Sequence, residues 1–123
     1  MDSKPADRKK ILVIDDDSDA RELLCDLLEL NGYLVACAEN GQVALDNIEA
    51  DEIPPALILL DLIMPVMDGR SFLARARDDQ ILAKVPILVV TGENDPQVPE
   101  ASAVLTKPAP PHELLSLVRR WLR

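Results

Sequence analysis

Aromatic residues are nearly missing: Tyr33, Phe72 and Trp121 are the three in 123 residues, although 48 % of the chain is apolar. The core of this single-domain length must therefore be aliphatic. The two cysteines, Cys25 and Cys37, are too few and unpatterned for a disulfide framework or a zinc site. Cys37 alternates with Val35 and is expected as a small core residue, with Cys25 a partly exposed thiol on a helix flank. His112 is the only histidine, which excludes a paired-histidine metal site. The four glycines form no Gly-x-Gly, P-loop or Gly-x-Ser-x-Gly element. No run is long and apolar enough for a membrane span or signal peptide, so the expected compartment is the cytoplasm. Basic residues are outnumbered 13 to 22, and a net charge of −9 argues against nucleic acid bound on a broad basic face.

What is present is a regular alternation. Residues 1–10 carry Lys4, Arg8, Lys9 and Lys10 without an apolar period and read as a flexible basic lead. Residues 11–123 form the domain. Ile11–Ile14 is a strand ending in Asp15-Asp16-Asp17. Ser18 is placed to cap a helix in which Ala20, Leu23, Leu24, Leu27 and Leu28 recur at helical spacing, stopped by Asn31-Gly32. A strand over 33–38 and a helix with Val43, Ala44, Leu45 and Ile48 inward follow. Ala56–Leu60 is unbroken in apolar character, as expected of a strand buried on both faces. A third helix buries Phe72, Leu73 and Ala76, a fourth strand runs from Pro86, and a fifth covers 103–106. A last helix opens at Pro110-Pro111 and buries Leu114, Leu115, Val118 and Leu122. Alternation with right-handed crossovers predicts an α/β fold, a doubly wound five-stranded parallel sheet.

The buried third strand stops at a carboxylate, in Leu-Asp61-Leu-Ile-Met-Pro-Val-Met-Asp68-Gly. Carboxyl ends of central parallel strands are where open α/β sheets bind ligands. This segment, together with Asp15-Asp16, Thr91 after the fourth strand and Lys107-Pro108 after the fifth, resembles the receiver domains of response regulators in two-component signalling. The resemblance covers nearly the whole chain. It implies the flavodoxin-like strand order 2-1-3-4-5, which makes strands one and three neighbours.

The resemblance also implies a function. Asp61 is the nucleophile that accepts a phosphoryl group from a phosphohistidine donor, assisted by Lys107 and Thr91. Asp15, Asp16, Asp61 and the backbone carbonyl of Ile63 hold Mg²⁺ (or Mn²⁺), as oxygen-only ligands suit. Gly92 leaves room at the pocket mouth, and Pro108 fixes the loop after Lys107, a place where a cis bond is permitted. The protein is then not an enzyme with an external product but a signalling phospho-acceptor that catalyses its own phosphorylation and dephosphorylation. Its partners are a sensor histidine kinase or histidine phosphotransfer protein and an unknown downstream protein or effector domain. It binds neither nucleic acid nor membrane by itself and is a monomer or weak dimer, either stand-alone or a piece of a longer regulator.

Two departures from the family pattern stand out. Val104 occupies the place of a usual aromatic residue, three before the lysine. Only fifteen residues separate Thr91 from Lys107, and 93–102 hold Pro96 and Pro99. Proline inside a helix costs about 3 kcal/mol, so the fourth helix is expected to be shortened or absent. These departures motivate an alternative, a phosphorylation-independent pseudo-receiver acting as an interaction module. Asp15-Asp16-Asp17-Ser18-Asp19 also suits a solvated helix N-terminus, and Asp68 suits a turn with Gly69. A haloacid-dehalogenase reading of Asp15-Asp16-Asp17 meets Asp19 where Thr or Val is expected. A calcium-loop reading lacks its glycine at Ala20 and has Asp26 in place of Glu.

Overall fold

Adjacent residues of a strand face opposite sides of its sheet, so an unbroken aliphatic run needs cover on both sides. The computed structural model, which describes residues 9–51, 53–64 and 66–122, meets that need. Its elements are β1 (Lys10–Ile14), α1 (Ser18–Leu30), β2 (Leu34–Ala38), α2 (Gly41–Ala50), β3 (Leu57–Leu60), α3 (Gly69–Asp78), a 3₁₀ turn (Leu82–Lys84), β4 (Ile87–Thr91), β5 (Ala103–Thr106) and α4 (Pro111–Trp121). All strand pairs are parallel, in the order β2-β1-β3-β4-β5. The expected fold class is the observed one. Residues 1–8, most of the expected basic lead, lie outside the described residues.

The two faces divide the strands residue by residue. Leu12, Ile14, Ile58, Leu60, Ile87 and Val89 pack under α2 and α3 with Ala44, Phe72, Leu73 and Ala76. Ile11, Val13, Leu57, Leu59, Leu88 and Val90 pack under α1 and α4 with Leu28, Leu114 and Val118. Phe72 is fully buried in the α2/α3 core, and Tyr33 packs, partly buried, against the α1/α4 core. Helix starts are capped by side chains: Asp17 accepts from the amides of Asp19 and Ala20, Asn40 from Val43, and Asp68 from Ser71. The cap of α1 is thus Asp17 and not Ser18, because Ser18 already lies in the first turn. Gly32 ends α1 at φ +91°, in the left-handed region that favours glycine.

The β4–β5 connection, residues 92–102, contains no helix. The cover a helix would give that end of the sheet comes from Val98, buried in the α2/α3 core, and Ala101 packed beside it. Helix α3 grips this segment twice. Near its start Arg70 makes a bidentate pair with Glu93, at 3.1 and 2.5 Å. Near its end Arg77 donates to the carbonyls of Glu100 (2.7 Å), Val85 (3.2 Å) and Ala83 (3.3 Å).

The cysteines depart from expectation. Cys25 is the buried one, inside the α1/α4 core, and Cys37 is exposed. Cys37 does share the Val35 side of β2, but β2 is the sheet edge, and Cys37 lies near its end with little packed over it. The two sulfurs meet as a disulfide pair across the α1–β2 contact.

Candidate functional site: an acidic pocket at the carboxyl edge of the sheet

The parallel ladders run one residue past three strand ends and thereby place the key side chains. Ile14 pairs with Leu60 and with Ala38, so the next residues, Asp15 and Asp61, emerge side by side. The Asp15 amide donates to the Ala38 carbonyl (3.1 Å), and the Asp61 amide to the Ile14 carbonyl (3.0 Å). At the other side, the Lys107 amide donates to the Thr91 carbonyl at 2.7 Å. Backbone bonding of this kind holds a side chain's origin fixed, whatever charge it carries.

Asp15 and Asp61 are buried and Asp16 is exposed. Carboxylate oxygens of the three lie within 4.8 Å of one another. Lys107 enters from β5, its Nζ donating to Asp15 Oδ2 at 2.9 Å and to Asp61 Oδ2 at 3.4 Å. The other oxygen of Asp15 accepts the Asp17 amide (3.0 Å), and the other oxygen of Asp61 accepts the Ile63 amide (3.4 Å). Desolvation raises the pKa of Asp61; Lys107 opposes that shift, and the neighbouring Asp15 charge adds to it. For Lys107 burial works against the charged form, but the hydrogen bond to Asp15 and the charges of Asp15 and Asp61 outweigh it and raise its pKa. The lysine is therefore firmly cationic at neutral pH.

Gly69 backs the pocket. A Cβ there would come within 2.5 Å of the Asp61 carbonyl oxygen and 2.6 Å of the Leu62 Cα, so only glycine lets α3 start against the Asp61 loop. Its amide donates to the Leu62 carbonyl (2.9 Å), and Asp68 caps the helix, the turn role expected of it. Thr91 is fully buried at the end of β4, its Oγ1 accepting the Glu93 amide at 3.2 Å. Among the described residues no hydrogen bond joins the Thr91 hydroxyl to the side chain of Asp61 or Lys107. A Cβ added at Gly92 would meet nothing within 4 Å, so the space beside it is open. Ile63 and His112 are exposed, and the Lys107–Pro108 bond is cis. Val104 is half-exposed on the β5 edge.

Sequence reasoning missed three arginines. Arg21, in the first turn of α1, donates to the Asp15 carbonyl at 2.7 Å and so steadies the acidic segment. Its only sequence signal is its place one turn after Asp17. Arg70 and Arg77, seven residues apart on α3, are legible only once the loop they hold is in place. The donor set, three carboxylates with oxygen ligands alone, fits a hard divalent cation such as Mg²⁺.

Comparison with known proteins agrees with this geometry. The family model described as "Response regulator receiver domain" matches residues 11–119. An uncharacterised 14.6 kDa protein of Leptolyngbya boryana is 37% identical over 117 residues, 90% of this chain and 88% of that protein. The phosphate regulon transcriptional regulatory protein PhoB of Pseudomonas aeruginosa is 35% identical over 94% of this chain but only 52% of its own length. The chain thus spans about half of PhoB. Among solved structures, the response regulator TrrA of Thermotoga maritima, in complex with Mg²⁺-BeF, superposes with a TM-score of 0.82 at 30% identity, covering 93% of this chain and 99% of that one.

Proposed function

Since the chain belongs to the response regulator receiver domain family, we propose that Asp61 is its phosphoryl acceptor and that Asp15, Asp16, Asp61 and the Ile63 carbonyl form its Mg²⁺ (or Mn²⁺) site. Receiver domains of response regulators are signalling phospho-acceptors that work with histidine kinases and downstream effectors. The observation that carries the assignment to Asp61 is Lys107 spanning Asp15 and Asp61 at the carboxyl edge of the sheet.

In the proposed reaction an Asp61 carboxylate oxygen attacks phosphorus in line, the phosphorus–nitrogen bond of a phosphohistidine breaks, and the imidazole leaves. Positioning and charge stabilisation carry most of such a transfer. Mg²⁺, when bound, supplies charge neutralisation and polarisation of a phosphoryl oxygen. Asp15 is held in place at the cation site by the Asp17 amide and Lys107. Lys107, released from Asp61 as that carboxylate becomes an acyl phosphate, places its ammonium on a phosphoryl oxygen. Thr91 turns its hydroxyl proton toward another oxygen. The product carries about −1.5 to −2 charge near neutral pH, enough to reorganise Thr91 and the Lys107 loop and so alter the surface offered to a partner.

The proposed partners are a sensor histidine kinase or histidine phosphotransfer protein on the input side and a downstream protein or effector domain on the output side. The missing helix and Val104 alter the usual output face, which supports a monomer or weak dimer. The absence of a ring at 104 and of the fourth helix is also what favours the pseudo-receiver alternative. The proposed compartment is the cytoplasm; among the described residues no helix is long and apolar enough to cross a membrane. The test is labelling with a small acyl-phosphate donor and Mg²⁺, read by intact mass. The expected result is one added phosphoryl group in the wild type and none in Asp61→Asn. No labelling of a folded wild type, under conditions that label a receiver control, favours the phosphorylation-independent module.

A further inference from the structure

We propose that Cys25 and Cys37 are a redox modification site, closed by a peroxide and opened by a dithiol, that clamps the Asp15 segment. Two elements hold the Asp15 backbone. Arg21 of α1 donates to its carbonyl, and Ala38 of β2 accepts from its amide. Cys25 lies one helical turn after Arg21, on the same side of α1, and Cys37 immediately precedes Ala38. The sulfurs meet across the contact between these two elements. A bond between them therefore ties together the two supports of one buried carboxylate residue.

The difference in exposure orders the chemistry. Cys37 is exposed and meets oxidant first, whereas Cys25 is enclosed in the α1/α4 core and acts as the resolving thiol. The Cys37 thiolate attacks a peroxide oxygen, the oxygen–oxygen bond breaks, and with hydrogen peroxide one water leaves; Cys37 becomes a sulfenic acid. The Cys25 sulfur then attacks the Cys37 sulfur, the sulfur–oxygen bond breaks, and a second water leaves with the disulfide formed. Two thiols have lost two hydrogens and two electrons to the peroxide. A dithiol reverses this by attacking the exposed Cys37 sulfur, expelling the Cys25 thiol and closing to its own disulfide. The site does not rely on the phosphoryl-transfer reading.

The test uses the full chain, reduced with dithiothreitol, freed of reductant and exposed to hydrogen peroxide. Before treatment both cysteines take up iodoacetamide under denaturing conditions. Afterwards neither does, the chain stays monomeric, and its intact mass is lower by two hydrogens. Proteolysis at Asp26 and Glu29 then leaves the Cys25 and Cys37 peptides joined, and dithiothreitol separates them. In Cys25→Ser, Cys37 accumulates as a sulfenic acid trapped by dimedone; in Cys37→Ser, Cys25 stays alkylatable. Amide hydrogen exchange at Asp15 slows severalfold in the oxidised wild type. Two alkylatable cysteines after peroxide, disulfides only between chains, or preferential dimedone trapping at Cys25 overturns the redox site. Unchanged Asp15 exchange in a cross-linked chain overturns the clamp.

Discussion

The ammonium of Lys107 lies 2.9 Å from Asp15 Oδ2 and 3.4 Å from Asp61 Oδ2. The lysine thus balances Asp15, proposed for metal binding alone, more closely than Asp61, proposed for both metal binding and modification. It is the cation that two buried carboxylates have in the absence of a metal. Breaking a buried pair leaves an uncompensated charge, a loss discounted here because the Lys107 side chain is 30% exposed. Lys107→Met is therefore expected to lower the stability of the metal-free protein by about 2 kcal/mol. The same variant is expected to bind Mg²⁺ more tightly, since a competing positive charge has gone. Thermal melts and calorimetric titration read both effects; weaker Mg²⁺ binding contradicts the balance described.

Gly69 is where α3 touches the back of the Asp61 loop. The Cβ of Gly69→Ala meets backbone atoms on both sides of the Asp61–Leu62 peptide bond, and backbone yields less readily than a side-chain tip. A cost of about 3 kcal/mol is expected from this overpacking, together with loss of Asp61 labelling in the fraction that stays folded. Denaturant unfolding measures the first and intact mass the second.

Arg77 is expected to be structural and remote from the chemistry. Its guanidinium serves three carbonyls, holding both the 3₁₀ turn before β4 and the loop that replaces the fourth helix. Arg77→Ala is expected to cost about 2 kcal/mol, given charge-assisted hydrogen bonds at a partly exposed position. Amide exchange over 92–102 should rise while Mg²⁺ affinity stays unchanged. A loop whose protection is unaltered would show that Val98, Ala101 and the Arg70–Glu93 pair hold it without Arg77.

The pH dependence follows from Asp61. Burial raises its folded pKa above the ordinary 3.8, so the folded state holds this proton more tightly than the unfolded one. Stability from this group is greatest below 3.8 and falls as pH rises through the folded pKa. Metal-free Asp61→Asn is therefore expected to gain stability relative to wild type across that window. Mg²⁺ favours the ionised carboxylate, so its stabilisation of wild type should grow over the same rise in pH and fade below it. Paired melts of the two proteins, with and without Mg²⁺, test the sign.

Much of this was legible in the sequence because strand ends are punctuated by charge. Aliphatic runs that stop at Asp15, Asp61 and Thr91 mark both the strands and the edge where a site can form, and the short connection with two prolines in 93–102 told against a fourth helix. The parts that escaped are contacts set by tertiary placement. Arg21, Arg70 and Arg77 look like ordinary surface charges of amphipathic helices until a carbonyl or Glu93 is brought beside them. Cys37 was misread because alternation in β2 gives the side of the sheet but not what covers it near the strand end. Cys25 was misread because a place on a helix flank does not show which side chains pack over it.

The most direct measurement is the position of the acyl phosphate itself. Protein treated with a small acyl-phosphate donor and Mg²⁺ can be reduced with borohydride, which converts a phosphorylated aspartate into homoserine detectable by peptide sequencing in the mass spectrometer. Conversion is expected at Asp61 alone, dependent on Mg²⁺ and absent without donor. Conversion at Asp15 or Asp16, with Asp61 unchanged, would contradict the account.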